Sequence, residues 1–177
     1  MPRTIAIIVE AALCACALWA LCFLSTLLHE LGHALGYRIA TGDGRGHIRV
    51  GSGKALLDTR RLTVKLLPFD GCFTPPEDGR IDTRAKLIAV LAGGPAASLI
   101  LAAALLPLKL GGIPLHSEVF ADGAIESLVN SAFFINLFIL ILTLIPAHYF
   151  YGEARGMETD GLQILNAIRG RGKEDRR

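Results

Sequence analysis

From Ile5 to Leu28 the chain is apolar at almost every position, and Glu10 is the one charge in the run. Such a stretch has no polar face, the pattern of a helix bathed in lipid. After His29-Glu30 it continues through Leu31 to Tyr37, which predicts a first membrane span over about 8–37. Leu87 to Leu108 and Leu128 to Pro146 are two further apolar runs of spanning length. Residues 41–82 break the pattern. There His47-Ile48-Arg49-Val50 and Leu62-Thr63-Val64-Lys65-Leu66 alternate with period two, as half-buried strands do, and Gly51-Ser52-Gly53 and Asp70-Gly71 read as turns. The expected fold is an α-helical polytopic membrane protein with about three transmembrane helices. One or two small β-hairpins lie on the membrane surface between the first and second. Residues 1–177 form a single core, with a polar link at 109–127 and a charged, disordered tail at 169–177.

Composition agrees with that class. Hydrophobic residues make up 52% of the 177 positions, and the mean hydropathy of +0.48 lies well above soluble usage. A net charge of +2 carries no nucleic-acid footprint. Its distribution is more telling. Ten Lys/Arg lie in 38–86 and six after residue 146, leaving only Arg3 and Lys109 elsewhere. Three spans put the two basic-rich segments on one side, which the positive-inside rule makes cytoplasmic, with the N-terminus outside. A secretory signal peptide is disfavoured by the length of the first run and by Glu10. Cys14, Cys16 and Cys22 share that run and Cys72 stands apart, so no disulfide framework is expected.

The chemistry sits at the end of the first run, in His29-Glu30-Leu31-Gly32-His33. Two histidines four apart on a helix share a face, and imidazole nitrogens suit Zn²⁺. A carboxylate between them is placed to take a proton from a water that the metal acidifies. Ionisable groups beside a membrane are costly and mark function by default. Gly32 and Gly36 form a small-xxx-small pair that lets another helix approach this face. Ala92-Gly93-Gly94-Pro95 in the second run loses a backbone donor and permits close packing or a kink. Asn136 and Thr143, seven apart in the third run, share a face turned into the bundle. His148-Tyr149-Phe150-Tyr151 resembles an interfacial aromatic belt. His47 reads as an ordinary polar strand residue.

Together these residues resemble the site-2 protease family of intramembrane zinc metalloproteases. His29 to His33 is similar to the zinc motif of the first core helix, and Ala92 to Ser98 to the Gly-Pro motif of the second. Thr143-Leu144-Ile145-Pro146, followed by Asp160-Gly161, resembles the Asn-Leu-x-Pro and Asp-Gly elements. The resemblance implies that His29, His33 and Asp160 hold zinc and that Glu30 is the general base. It also implies that Asn136, Gly94 and Thr143 contact substrate, and that the hairpins offer an edge to an unwound substrate strand. Thr143 stands where Asn is usual, Ser98 stands where Asn is frequent, and Pro146 and Asp160 are fourteen apart. Glu153, Glu158 and Asp70 are the rival third ligands, and a helix N-cap is the rival role for Asp160. Neither a PDZ-type insertion nor a nucleotide-sensing domain fits, which leaves a compact core. The implied activity is zinc-dependent cleavage of peptide bonds in or beside the spans of single-span membrane proteins, within the lipid bilayer. The alternative is a non-proteolytic metal-binding or regulatory subunit that keeps the histidine pair.

Overall fold

The computed structural model describes residues 3–111, 124–150 and 152–170. Helix α1 runs from Arg3 to Thr41, α2 from Arg84 to Lys109, α3 from Ala124 to Leu144 and α4 from Asp160 to Arg169, with strands β1 (His47–Asp58) and β2 (Leu62–Thr74) after α1. Three of these helices, α1, α2 and α3, are long and apolar enough to cross a membrane. At 39 residues, α1 is about 58 Å long, nearly twice a hydrocarbon core. His116 and most of the 109–127 link, Tyr151 and the end of the tail lie outside the described residues.

Local chemistry sets the helix ends. Gly42, at φ 76°, closes α1 with its amide on the Arg38 carbonyl, as a left-handed glycine cap does. The Thr83 hydroxyl caps α2 by accepting from the Lys86 amide. Pro95 lies inside α2 without ending it. The neighbouring glycines instead bring α1 and α2 together: a side chain at Gly32 would strike the Gly93 carbonyl, and one at Gly36 the Ala89 carbonyl. Residues rising along α1 therefore meet residues falling along α2, so the two helices are antiparallel. The small-xxx-small pair serves the contact expected of it.

The β region departs from the sequence reading at its turns. Gly51-Ser52-Gly53 and Asp70-Gly71 lie within β1 and β2, and the chain reverses at 59–61. Gly51 and Gly53 have positive φ and fall among register shifts, so they bend the ribbon rather than end it. Val50 pairs with both Gly71 and Val64, and Asp58 pairs back on Thr63. The ribbon packs against α1. It runs along α1: the Phe73 ring meets Tyr37, the Pro68 carbonyl accepts from Thr26 Oγ1 at 3.2 Å, and the Leu66 carbonyl accepts from Trp19 Nε1 at 3.1 Å. Trp19 and Tyr37 are eighteen residues apart, about 27 Å of helix. Backbone acceptors on a bent strand met by polar side chains of the helix explain this path. Alternation alone cannot show it.

After α3 the chain forms a strap. Thr159 N donates to the Ala147 carbonyl at 3.0 Å and Tyr149 N to Met157 at 2.9 Å, and His148 bridges Glu158. The aromatic segment thus belongs to a turn-back that returns the chain to α4.

Candidate metal centre

Ser25, His29 and His33 recur at four-residue spacing on α1, so they line one face, and all three are buried. α2 closes on that face. Its Gly94 lies where any side chain would overlap the Nε2 atoms of both histidines. α4 then delivers Asp160. Thr159, not Asp160, caps α4: its hydroxyl accepts from Leu162 N at 3.3 Å and donates to the Ile145 carbonyl at 2.6 Å. The capping role expected as the rival for Asp160 is therefore taken by its neighbour, and the Asp160 carboxylate is free to turn toward α1. Gly161 permits a close approach, since a side chain there would strike the Leu144 carbonyl of α3. It brings α4 against the end of α3, and this places Asp160.

The result is a triangle of donor atoms. His29 Nε2 and His33 Nε2 are 3.2 Å apart, and Asp160 Oδ2 stands 3.3 Å from the first and 3.4 Å from the second. Ligands at tetrahedral zinc, bonded at about 2.0–2.1 Å, are separated by about 3.3 Å. The outer ring nitrogens are also engaged. His33 Nδ1 lies 2.8 Å from the Val90 carbonyl, which can only accept, so that nitrogen carries the proton and Nε2 turns its lone pair inward. His29 Nδ1 meets Ser98 Oγ at 2.9 Å, and Ser98 is wholly buried. The three atoms of the triangle converge in an enclosed space at the separations that a bound cation sets. Among the described residues, His29, His33 and Asp160 are the group that could hold a metal ion.

Glu30 is buried on the flank of this triangle, with the backbone amide of Phe73 directed at its carboxylate and Gly71 packed against its Oε1. The rival ligands are occupied elsewhere. Asp70 and Glu153 pair with Arg49, and Glu158 accepts from Asn166 Nδ2 at 2.9 Å. Asn136 and Thr143 are both buried, as their shared face requires. Asn136 Nδ2 donates to Ser25 Oγ at 3.1 Å, one helical turn from His29, while its Oδ1 is a buried side-chain atom without a hydrogen-bond partner. Thr143 donates to the Leu140 carbonyl of its own helix at 3.4 Å. His47 shares a hydrogen bond with Thr63 across the ribbon, 2.9 Å long. Sequence reasoning noted Ser98 only as a substitution within a motif. Its place four residues after Gly94, on the turn facing His29, was the available signal. No family model, curated protein or solved structure matches this chain.

Proposed function

We propose that this chain is a membrane-embedded, zinc-dependent endopeptidase of the site-2 protease type, acting on single-span membrane proteins. One observation carries the reading: a buried carboxylate, Glu30, flanks a His29-His33-Asp160 triangle whose spacing fits a tetrahedral metal. A site built only to hold metal closes with a fourth protein ligand, whereas Glu30 stands outside the converging group of His29, His33 and Asp160. When bound, the metal acidifies water and polarises a substrate carbonyl. Glu30 accepts the proton from the attacking water and returns it to the departing amine. The Val90 carbonyl holds the His33 proton on Nδ1, and Ser98 holds the His29 ring in orientation. The unpartnered Asn136 Oδ1 accepts a peptide N–H from an unwound substrate. Gly94 keeps free the space beside the two Nε2 atoms that a side chain there would fill. The basic-rich segments 38–86 and 147–177 lie on the cytoplasmic side.

The test is reconstitution of the full chain in liposomes with a panel of single-span substrates, followed by metal analysis. Wild-type protein retains one zinc and cleaves, and Glu30→Gln retains zinc and does not. Full zinc in both with no cleavage of any substrate transfers the reading to a non-proteolytic metal-binding subunit.

A further inference from the structure

The Glu30 carboxylate is covered. Gly71 of β2 lies so close that a single methyl group added there would overlap Glu30 Oε1 and crowd Thr26. With β2 in this position, the β2 side of Glu30 has no room for an extended peptide, which can enter from that side only if β2 moves off α1.

The residue before Gly71 shows what holds β2 down. The Asp70 side chain is only 3% exposed, and its Oδ2 accepts from the backbone amides of Glu153 at 2.7 Å and Ala154 at 3.2 Å. Gly152, at φ 68°, permits this approach, since a side chain there would crowd the same oxygen. Arg49 Nη2 donates to Asp70 Oδ1 at 3.2 Å, and its Nη1 lies 3.2 Å from Glu153 Oε2. Lys65 Nζ completes the set at 2.6 Å from the same Glu153 oxygen. Two cations and two anions thus join the ribbon to the Ala147–Thr159 strap, and that strap ends on Asp160.

We propose that β2 is a movable cover over Glu30, and that Asp70, Arg49, Glu153 and Lys65 form the latch that fastens it to the strap. The pairing suits a latch. Asp70 is clamped by charge-assisted hydrogen bonds, whereas Glu153 is partly exposed, and exposed ion pairs are weak enough to open reversibly. An apolar seam would hold the cover without a release. The opening admits an extended segment of substrate, a role that rests on the proteolytic reading; the movement itself does not.

Cys72, next to Gly71, reports on the cover. With Cys14, Cys16 and Cys22 replaced by Ser it is the sole thiol, and its rate of alkylation by N-ethylmaleimide follows lifting of β2. Lys65→Ala and Glu153→Ala are expected to raise that rate about fivefold, since weakening the closed state enlarges the open fraction, and to raise cleavage in the same order. A short thiol-to-thiol cross-link between Lys65→Cys and Glu153→Cys, in a chain with Cys72→Ser as well, stops cleavage while metal content is unchanged. Equal Cys72 alkylation in wild type and both alanine variants overturns the latch. So does a cross-linked protein that cleaves at the uncross-linked rate, or faster alkylation accompanied by loss of metal, which marks a structural prop. Absence of cleavage in every variant, with the alkylation difference intact, removes the protease reading and leaves the cover standing.

Discussion

Ser98 Oγ and His29 Nδ1 lie 2.9 Å apart, sixty-nine residues distant in sequence and both buried. This bond orients an imidazole whose other nitrogen faces the donor triangle. Partners of this kind contribute about 10–100-fold to metal affinity. Ser98→Ala is therefore expected to weaken zinc binding within that range in a competition titration with a chelator, leaving the helical circular dichroism unchanged. Unaltered affinity would remove the orienting role.

Asp160 and Thr159 are adjacent but do different work, so substitutions at the two positions separate. Thr159→Ala removes the α4 cap and costs about 1 kcal/mol of stability, with zinc retained. On the proposed reading, Asp160→Asn is expected to keep the fold and to lose metal and cleavage together, because an amide oxygen is a far poorer ligand than a carboxylate. Metal analysis and thermal unfolding in detergent, run on both variants, read the two effects. A full equivalent of zinc in Asp160→Asn would exclude it from the ligand set.

Gly94→Ala tests the closeness of α2 to the histidines. The new methyl group must displace both Nε2 atoms or push α2 away. We expect zinc affinity to fall by about tenfold or more, with overpacking costing about 1–3 kcal/mol. Pro95→Ala adds no atom at that face and is expected to retain zinc. Equal metal content in the two variants would show that Gly94 is not the critical neighbour.

The ribbon-to-strap pairs make stability depend on acid. Glu153 is held below its usual range first by the Lys65 hydrogen bond, with Arg49 and the Gly53 amide assisting against a small cost of burial. A depressed carboxyl stabilises the fold above its unfolded value, near 4.5, and that contribution is lost as pH falls through the lower, folded value. The melting temperature in detergent is thus expected to drop below about pH 4.5, and less so in Glu153→Gln. Asp70, Arg49 and Lys65 face the same group. Identical pH profiles for the two proteins would show that Glu153 contributes nothing there.

The sixteen-to-two division of basic residues predicts an orientation that labelling can test. Cysteines introduced near residues 55 and 172 should react from the cytoplasmic side, and one near residue 116 from the other. Residues 55 and 116 on the same side would overturn three spans.

Hydropathy by itself determined the three long helices, because a lipid-facing helix must be apolar over its whole length and needs no partner to be recognised. The His29-Glu30-x-x-His33 spacing determined just as directly that two imidazoles share a face, since four residues make about one helical turn. Gly32 and Gly36 declared a close helix contact, but not with which residues. What only the tertiary structure decided depends on contacts between distant segments. Asp160 reaches the histidines because Thr159 takes the cap and Gly161 lets α4 close on the end of α3, and no local pattern records either event. Asp70-Gly71 has the composition of a turn, yet it is strand. Its glycine is required by the Glu30 carboxylate and its aspartate by backbone amides more than eighty residues later. The same holds for Glu153, an apparently solvated acid whose partners, Arg49 and Lys65, come from a ribbon that precedes it by two spans. Periodicity reports which face of an element is buried; which residue buries it is settled only when the elements pack.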